Sequence, residues 1–186
     1  MNTQAQQSSE SQAPGPRYPT SALEPGTKAP EFELNTTPDQ RVALSAFHGR
    51  PVVLVFYPAD WSPVCGDQLA LYNQLLSEFR NHDAQLIGVS VDGPWCHVAY
   101  GKDRNLRFPL LSDFEPKGEI AKRYGVYQYG AGVAERALFV LDRASTIYWS
   151  YVSPLGVNPG AEGILEALES LTQQGGRHGD AARPHQ

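Results

Sequence analysis

Residues 52–65 read Val52-Val-Leu-Val-Phe-Tyr57, then Pro58-Ala-Asp-Trp-Ser-Pro-Val-Cys65. The first six are β-branched, aliphatic or aromatic with no polar interruption, the pattern of a strand covered on both faces. A helix start follows, because Ser62 before Pro63 is an N-cap before a first-turn proline. Leu69, Tyr72, Leu75, Leu76 and Phe79 then recur at helical spacing. Leu86-Ile-Gly-Val-Ser-Val91 is a second buried strand, so the unit is strand, helix, strand. A right-handed crossover makes its two strands parallel.

Outward from this unit the alternation continues. Arg41-Val-Ala-Leu44 is a short strand, Pro94 to Arg104 a helix, and Lys117 to Tyr124 another helix stopped by Gly125. Ala137–Leu141 and Thr146–Tyr151 are strands joined by the hairpin-length Asp142-Arg-Ala-Ser145. Ile164, Leu165, Leu168 and Leu171 mark a closing amphipathic helix. The fold class expected is α/β, with a central mixed sheet flanked by helices.

The chain has 186 residues, which suits one domain with tails. Residues 1–24, with Pro14, Pro16 and Pro19, and 173–186, rich in Gly and Gln, hold too few apolar side chains to offset their ordering entropy. They are expected to be disordered tails around a domain at 25–172. Fifteen Lys and Arg against 20 Asp and Glu leave a net charge of −5, with no basic cluster, which argues against nucleic acid or an anionic membrane as partner. The longest apolar run, Val52 to Tyr57, is too short to span a bilayer. The N-terminus has no signal-peptide pattern, so the expected location is the reducing cytoplasm, where two cysteines, Cys65 and Cys96, would be free thiols.

Cys65 stands where chemistry is expected. It leaves a buried strand at its carboxyl end, where open α/β sheets hold their sites, and as N3 it lies among first-turn amides at the positive end of a helix dipole. That setting lowers a thiol pKa. Ser62, three residues earlier, can turn its hydroxyl to the sulfur or to a bound oxygen, and Pro58, without an N–H, walls one side. The plainer alternative is a small buried hydrophobe.

Phe56-Tyr-Pro-x-x-Trp-Ser-x-x-Cys65 resembles the active-site motif of the peroxiredoxins, the alkyl hydroperoxide reductase and thiol-specific antioxidant family. Gly26-Thr-Lys-Ala-Pro-Glu-Phe, Gly88-Val-Ser-Val-Asp92, Phe108-Pro-Leu-Leu-Ser-Asp113 and Arg136-Ala-Leu-Phe-Val-Leu-Asp142 match in the same order, across about 25–170. The pattern is most similar to one-cysteine and bacterioferritin-comigratory-type members. The resemblance implies a thioredoxin-like fold and reduction of hydrogen peroxide or organic hydroperoxides, with no metal, haem or flavin. It implies that Cys65 is the peroxidatic cysteine and becomes sulfenic acid, that Ser62 holds the peroxide, that Pro58 shields the sulfur, and that the Arg136 guanidinium stabilises the thiolate. From the residues alone, Arg136 reads as a solvated charge at a strand start. Many members carry Glu three residues after the cysteine, where this chain has Gln68.

The sulfenic acid is then resolved by Cys96 or by an outside thiol such as a thioredoxin-like reductant. A metal site from Cys65, Cys96, His97 and His48 lacks the usual ligand spacing. His48, His82 and His97 read as surface or satisfied histidines, and His178 and His185 fall in the tail. Tyr124, Tyr127 and Tyr129 form an aromatic stretch that is ordinary packing or, as in related proteins, a homodimer contact. Two other functions stand beside the peroxidase: a redox sensor or holdase using Cys65 oxidation, and a thiol–disulfide oxidoreductase, whose Cys-x-x-Cys pattern is broken by Gln68.

Overall fold

The structure is a computed structural model and describes residues 18–180, with side chains as far as Gln174. At its centre is β3 (Val52–Phe56), buried along its whole length. It pairs in parallel with β4 (Gln85–Ser90) on one side and antiparallel with β8 (Arg136–Leu141) on the other. The seven-stranded sheet runs β2-β1-β5-β4-β3-β8-β9, where β1 is Glu33–Thr37, β2 Gln40–Ala43, β5 Leu110–Ser112 and β9 Ile147–Ser153. A separate two-stranded ribbon joins β6 (Tyr127–Gln128) to β7 (Val133–Ala134). The parallel β3–β4 pair and the mixed sheet are as the sequence predicts.

Strand alternation divides the core in two. Val53 and Val55 of β3, with Leu138 and Val140 of β8, pack under α1 (Pro63–Gln74), α2 (Leu76–Asn81) and α5 (Glu162–Asp180). Leu54 and Phe56, with Ala137 and Phe139, face α4 (Glu119–Arg123) and the N-terminal segment. α3 (Pro94–Asp103) follows β4 and turns Tyr100 into the first layer. The single helix expected around 69–79 is broken at Leu75, whose N–H is shared between the Leu71 and Tyr72 carbonyls. No proline or glycine marks that break. β1 and β5 were not apparent in the sequence, the first being half-exposed and the second three residues long.

The expected disorder over 1–24 does not hold for 18–24. The Tyr18 hydroxyl donates to Glu119 (2.6 Å), the Leu23 amide to the Tyr124 carbonyl (3.1 Å), and Ala22 and Leu23 pack on the α4-side core. Gly125 makes this docking possible. It has a φ of +70°, as a helix-terminating glycine requires, and a Cβ there would lie 1.9 Å from the Ser21 carbonyl oxygen. The boundary expected at 172 falls inside α5, which continues to Asp180. Residues 1–17 and 181–186, and with them most of the N-terminal tail and His185, lie outside the described residues. The His178 side chain does too.

α4 begins at Gly118, which has no side chain to cap it, and Asp113 does that work from a distance. Its two carboxylate oxygens accept from the amides of Ile120 (3.0 Å) and Ala121 (2.9 Å). Burial still outweighs those bonds and raises the Asp113 carboxyl to about 6.

Two expectations follow from these contacts. Gly125→Ala should cost about 1–3 kcal/mol and release 18–24, read as a lower unfolding midpoint and faster amide exchange at Leu23. For Asp113, the folded state binds the proton more tightly than the unfolded state does. Stability should therefore fall as pH rises from about 4 to about 6. Asp113→Asn should flatten that part of the profile in urea unfolding.

Candidate active site

The β3–β8 register sets the site. Phe56 lies opposite Ala137, so Arg136 stands one step beyond the carboxyl end of β3. By strand alternation it shares the face of Leu138 and Val140, the face that α1 covers. α1 starts at that same end with Ser62 as N-cap and Pro63 in the first turn, so Cys65 is N3 as the sequence predicts. Ser62 makes no side-chain capping bond, which leaves its hydroxyl uncommitted to the helix, while the Gly66 amide bonds its carbonyl at 2.8 Å.

These constraints bring Cys65 and Arg136 together across 71 residues. Arg136 Nη2 donates to Cys65 Sγ at 3.5 Å. The same nitrogen and Nε both donate to the Leu155 carbonyl, at 2.8 and 3.0 Å. Nη1 donates to Gln68 Oε1, whose amide nitrogen in turn donates to the Tyr72 hydroxyl (3.2 Å), and that hydroxyl to the Gly160 carbonyl (2.8 Å). Burial pushes the Tyr72 phenol to about 12, so it stays a donor across the physiological range. Arg136 is 1% exposed and Cys65 and Gln68 are fully buried. The solvated charge that the sequence alone suggests is instead a sealed one. It makes no ion pair with a carboxylate among the described residues.

Between β3 and α1, Pro58 is half-buried and Asp60 is buried. Asp60 accepts from the Tyr57 hydroxyl at 2.8 Å and lies 2.9 Å from His97 Nδ1. Cys96, in the first turn of α3, lies beside Asp60. Burial and then the Asp60 carboxylate push its thiol up to about 11, while the Trp61 side chain acts the other way. Asp60, Asp92 and Cys96 are within 4.8 Å of one another. However, the Asp60 oxygens already serve Tyr57 and His97, and Asp92 Oδ2 serves Ser90 and the Asp60 amide. Among the described residues, no group of three possible metal ligands includes Cys65, His48 or His97. His48 sits by Glu31 and His82 by Thr172 near the surface, as expected, whereas His97 is buried.

The AhpC/TSA family profile matches residues 25–150. The chain belongs to the AhpC/TSA family. Alkyl hydroperoxide reductase E of Mycobacterium tuberculosis is 34% identical over 81% of this chain and 99% of its own. Peroxiredoxin-1 of Gekko japonicus is 31% identical over 83% of this chain and 82% of its own. Among solved structures, peroxidoxin BcpB of Mycobacterium tuberculosis superposes with a TM-score of 0.73 at 27% identity, covering 80% of this chain and 98% of its own. AhpC of Enterococcus faecalis gives 0.74 at 26% identity, covering 86% and 98%. The protein is a peroxiredoxin with a thioredoxin-like fold, a thiol-dependent peroxidase that reduces a peroxide at the expense of a thiol reductant. The sensor, holdase and disulfide-exchange readings are not favoured.

Several residues around this peroxiredoxin site were missed in the sequence. Leu155 contributes only a backbone carbonyl, which no residue type announces. Asp60 and His97 were visible as residues, but nothing local links a loop aspartate to a helix histidine 37 positions away. Tyr124 is core packing, and Tyr129 on the ribbon is 68% exposed.

Gln68 is the side chain that joins Arg136 to Tyr72. Gln68→Ala should leave the buried guanidinium one acceptor short and cost about 1–3 kcal/mol, measured as a shift of the denaturant midpoint at unchanged slope.

Proposed function

We propose that Cys65 is the residue that reduces the peroxide, with Arg136, Ser62 and Pro58 around it. One observation carries this reading: among the described residues the sealed guanidinium bonds a sulfur and two neutral acceptors, the Leu155 carbonyl and the Gln68 amide oxygen, so a thiolate at Cys65 is the anion that matches it. The thiolate attacks the terminal hydroperoxide oxygen, the O–O bond breaks, and sulfur leaves as Cys65–SOH. The other oxygen departs as hydroxide or alkoxide and takes a proton to become water or alcohol. Arg136 faces the charge that moves from sulfur to oxygen, the Ser62 hydroxyl bonds the incoming peroxide, and Pro58 keeps other nucleophiles from the sulfur.

An outside thiol, of the thioredoxin-like class, then attacks the sulfenic sulfur and releases hydroxide, and a second thiol reduces the mixed disulfide. Cys96 does not resolve the intermediate in this reading. Attack requires the thiolate, and a thiol at about 11 leaves roughly one in ten thousand ionised at pH 7. Two free cysteines fit a reducing compartment, the cytoplasm. Among the described residues no helix is long and apolar enough to cross a membrane. A homodimer through the side that carries the exposed Tyr129 also belongs to this proposal.

The test is intact mass and thiol count after one equivalent of hydrogen peroxide. Wild type should gain about 16 Da and lose one thiol, with the added oxygen trapped on Cys65 by dimedone. A loss of about 2 Da with both thiols gone, absent in Cys96→Ser, would overturn external resolution. Thiol-dependent peroxidase activity surviving in Cys65→Ser would overturn the assignment of Cys65.

A further inference from the structure

The segment from Pro58 to Ser62, on which the proposed peroxide contacts depend, is not held by regular hydrogen bonding. Trp61 within it has a φ of +62°, left-handed for a bulky non-glycine residue, and the residue is 49% exposed. Such a conformation persists only where the surroundings over-determine it. The surroundings act on the preceding residue. The Asp60 carboxylate accepts from Tyr57 at 2.8 Å on Oδ1 and lies 2.9 Å from His97 Nδ1 on Oδ2. Its backbone N–H donates to Asp92 Oδ2 at 2.8 Å, and Ser90 Oγ anchors that same oxygen at 2.7 Å from the end of β4. The Trp61 ring rests edge-on against Tyr100 of α3, 5.1 Å between centroids.

Among the described residues Asp60 is the one polar partner of the His97 imidazole, whose ring lies 6.5 Å from that of Tyr57. Its side chain is 1% exposed, and its second nitrogen, Nε2, is buried with no hydrogen-bond partner among the described residues. An imidazole buried at the cost of one unpartnered nitrogen, with Asp60 as its one polar contact, is explained by what it does to Asp60. Asp60 lies two residues from both Pro58 and Ser62, so rotation of its backbone would move both.

We infer that the buried Asp60–His97 pair is a positioning device for peroxide reduction, holding the strained Pro58–Ser62 segment in register against Cys65. His97 touches neither the sulfur nor the peroxide and acts through the loop. The inference rests on the roles proposed above for Cys65, Ser62 and Pro58.

A positioning role separates from a structural one by comparing two reactions of the same sulfur. Oxidation of Cys65 by hydrogen peroxide needs the oriented loop, whereas alkylation by iodoacetamide needs the thiolate and an opening to the buried sulfur, which a loosened loop does not narrow. Both rates are read at Cys65 by quenched peptide mass spectrometry. His97→Ala should slow peroxide oxidation by about tenfold or more, with alkylation slowed no more than about threefold. His97→Asn, whose amide nitrogen can still donate to Asp60 Oδ2, should restore most of the ratio. An unchanged ratio in His97→Ala, whatever its unfolding midpoint, or an equal fall of both rates, would overturn the inference. If His97→Ala does not fold, Tyr57→Phe removes one donor to Asp60, and a ratio like that of wild type there is equally fatal. The premise is checked separately: wild-type oxidation at a residue other than Cys65 would sink the site assignment itself.

Discussion

Arg136 is almost completely sealed from water, and its hydrogen bonds run to the Leu155 carbonyl, the Gln68 amide oxygen and the Cys65 sulfur. A charge removed from water without a counter-ion is costly, and dipoles alone compensate it poorly. The surrounding architecture concentrates such dipoles at one end of the sheet. β8 delivers the cation, the chain after β9 wraps a carbonyl over it, and α1 offers both an amide oxygen and a sulfur. With Gln68 rather than a carboxylate at the third position after the cysteine, no carboxylate among the described residues pairs with the guanidinium. Among the hydrogen-bond partners of the guanidinium, the sulfur is the one group that can carry a negative charge.

How much of this was legible in the sequence depends on the range of the interaction. β3, the helix start at Ser62-Pro63 and the N3 position of Cys65 are local consequences of burial pattern and capping, and they were readable. Arg136 was readable only as a charge at a strand start, because its burial comes from the pairing of Phe56 with Ala137 and no single segment encodes a pairing. The docking of 18–24 was missed for a related reason. Its few apolar side chains could not order it alone, but the absent Cβ at Gly125 opens a seat that is made by another part of the chain. Asp60 and His97 are unremarkable residue types whose meaning lies in their contact.

The two cysteines make an internal control. Each is N3 of a helix that begins Pro-x-Cys after one of two adjacent parallel strands. The helix-end dipole is therefore common to both. What differs is the neighbour: a guanidinium at Cys65, and carboxylates at Cys96, where burial and then Asp60 drive the thiol up to about 11. First-turn position is thus common to both, and the side chains brought alongside give the two sulfurs electrostatic neighbours of opposite sign.

The register of β3 against β8 has a consequence for how this chain tolerates change. Side chains along a strand alternate with period two, so a one-residue slip would turn Arg136 to the α4 side of the sheet and point its neighbour at the sulfur. Lengthening the Asp142–Ser145 turn leaves that pairing intact, since the insertion is absorbed outside the ladder. A single deletion within Arg136–Leu141 shifts every rung. The chain is thus permissive of length changes at its hairpin tip and intolerant of them along β8, where Arg136 borders the proposed site and the other five residues act only through the pairing that places it.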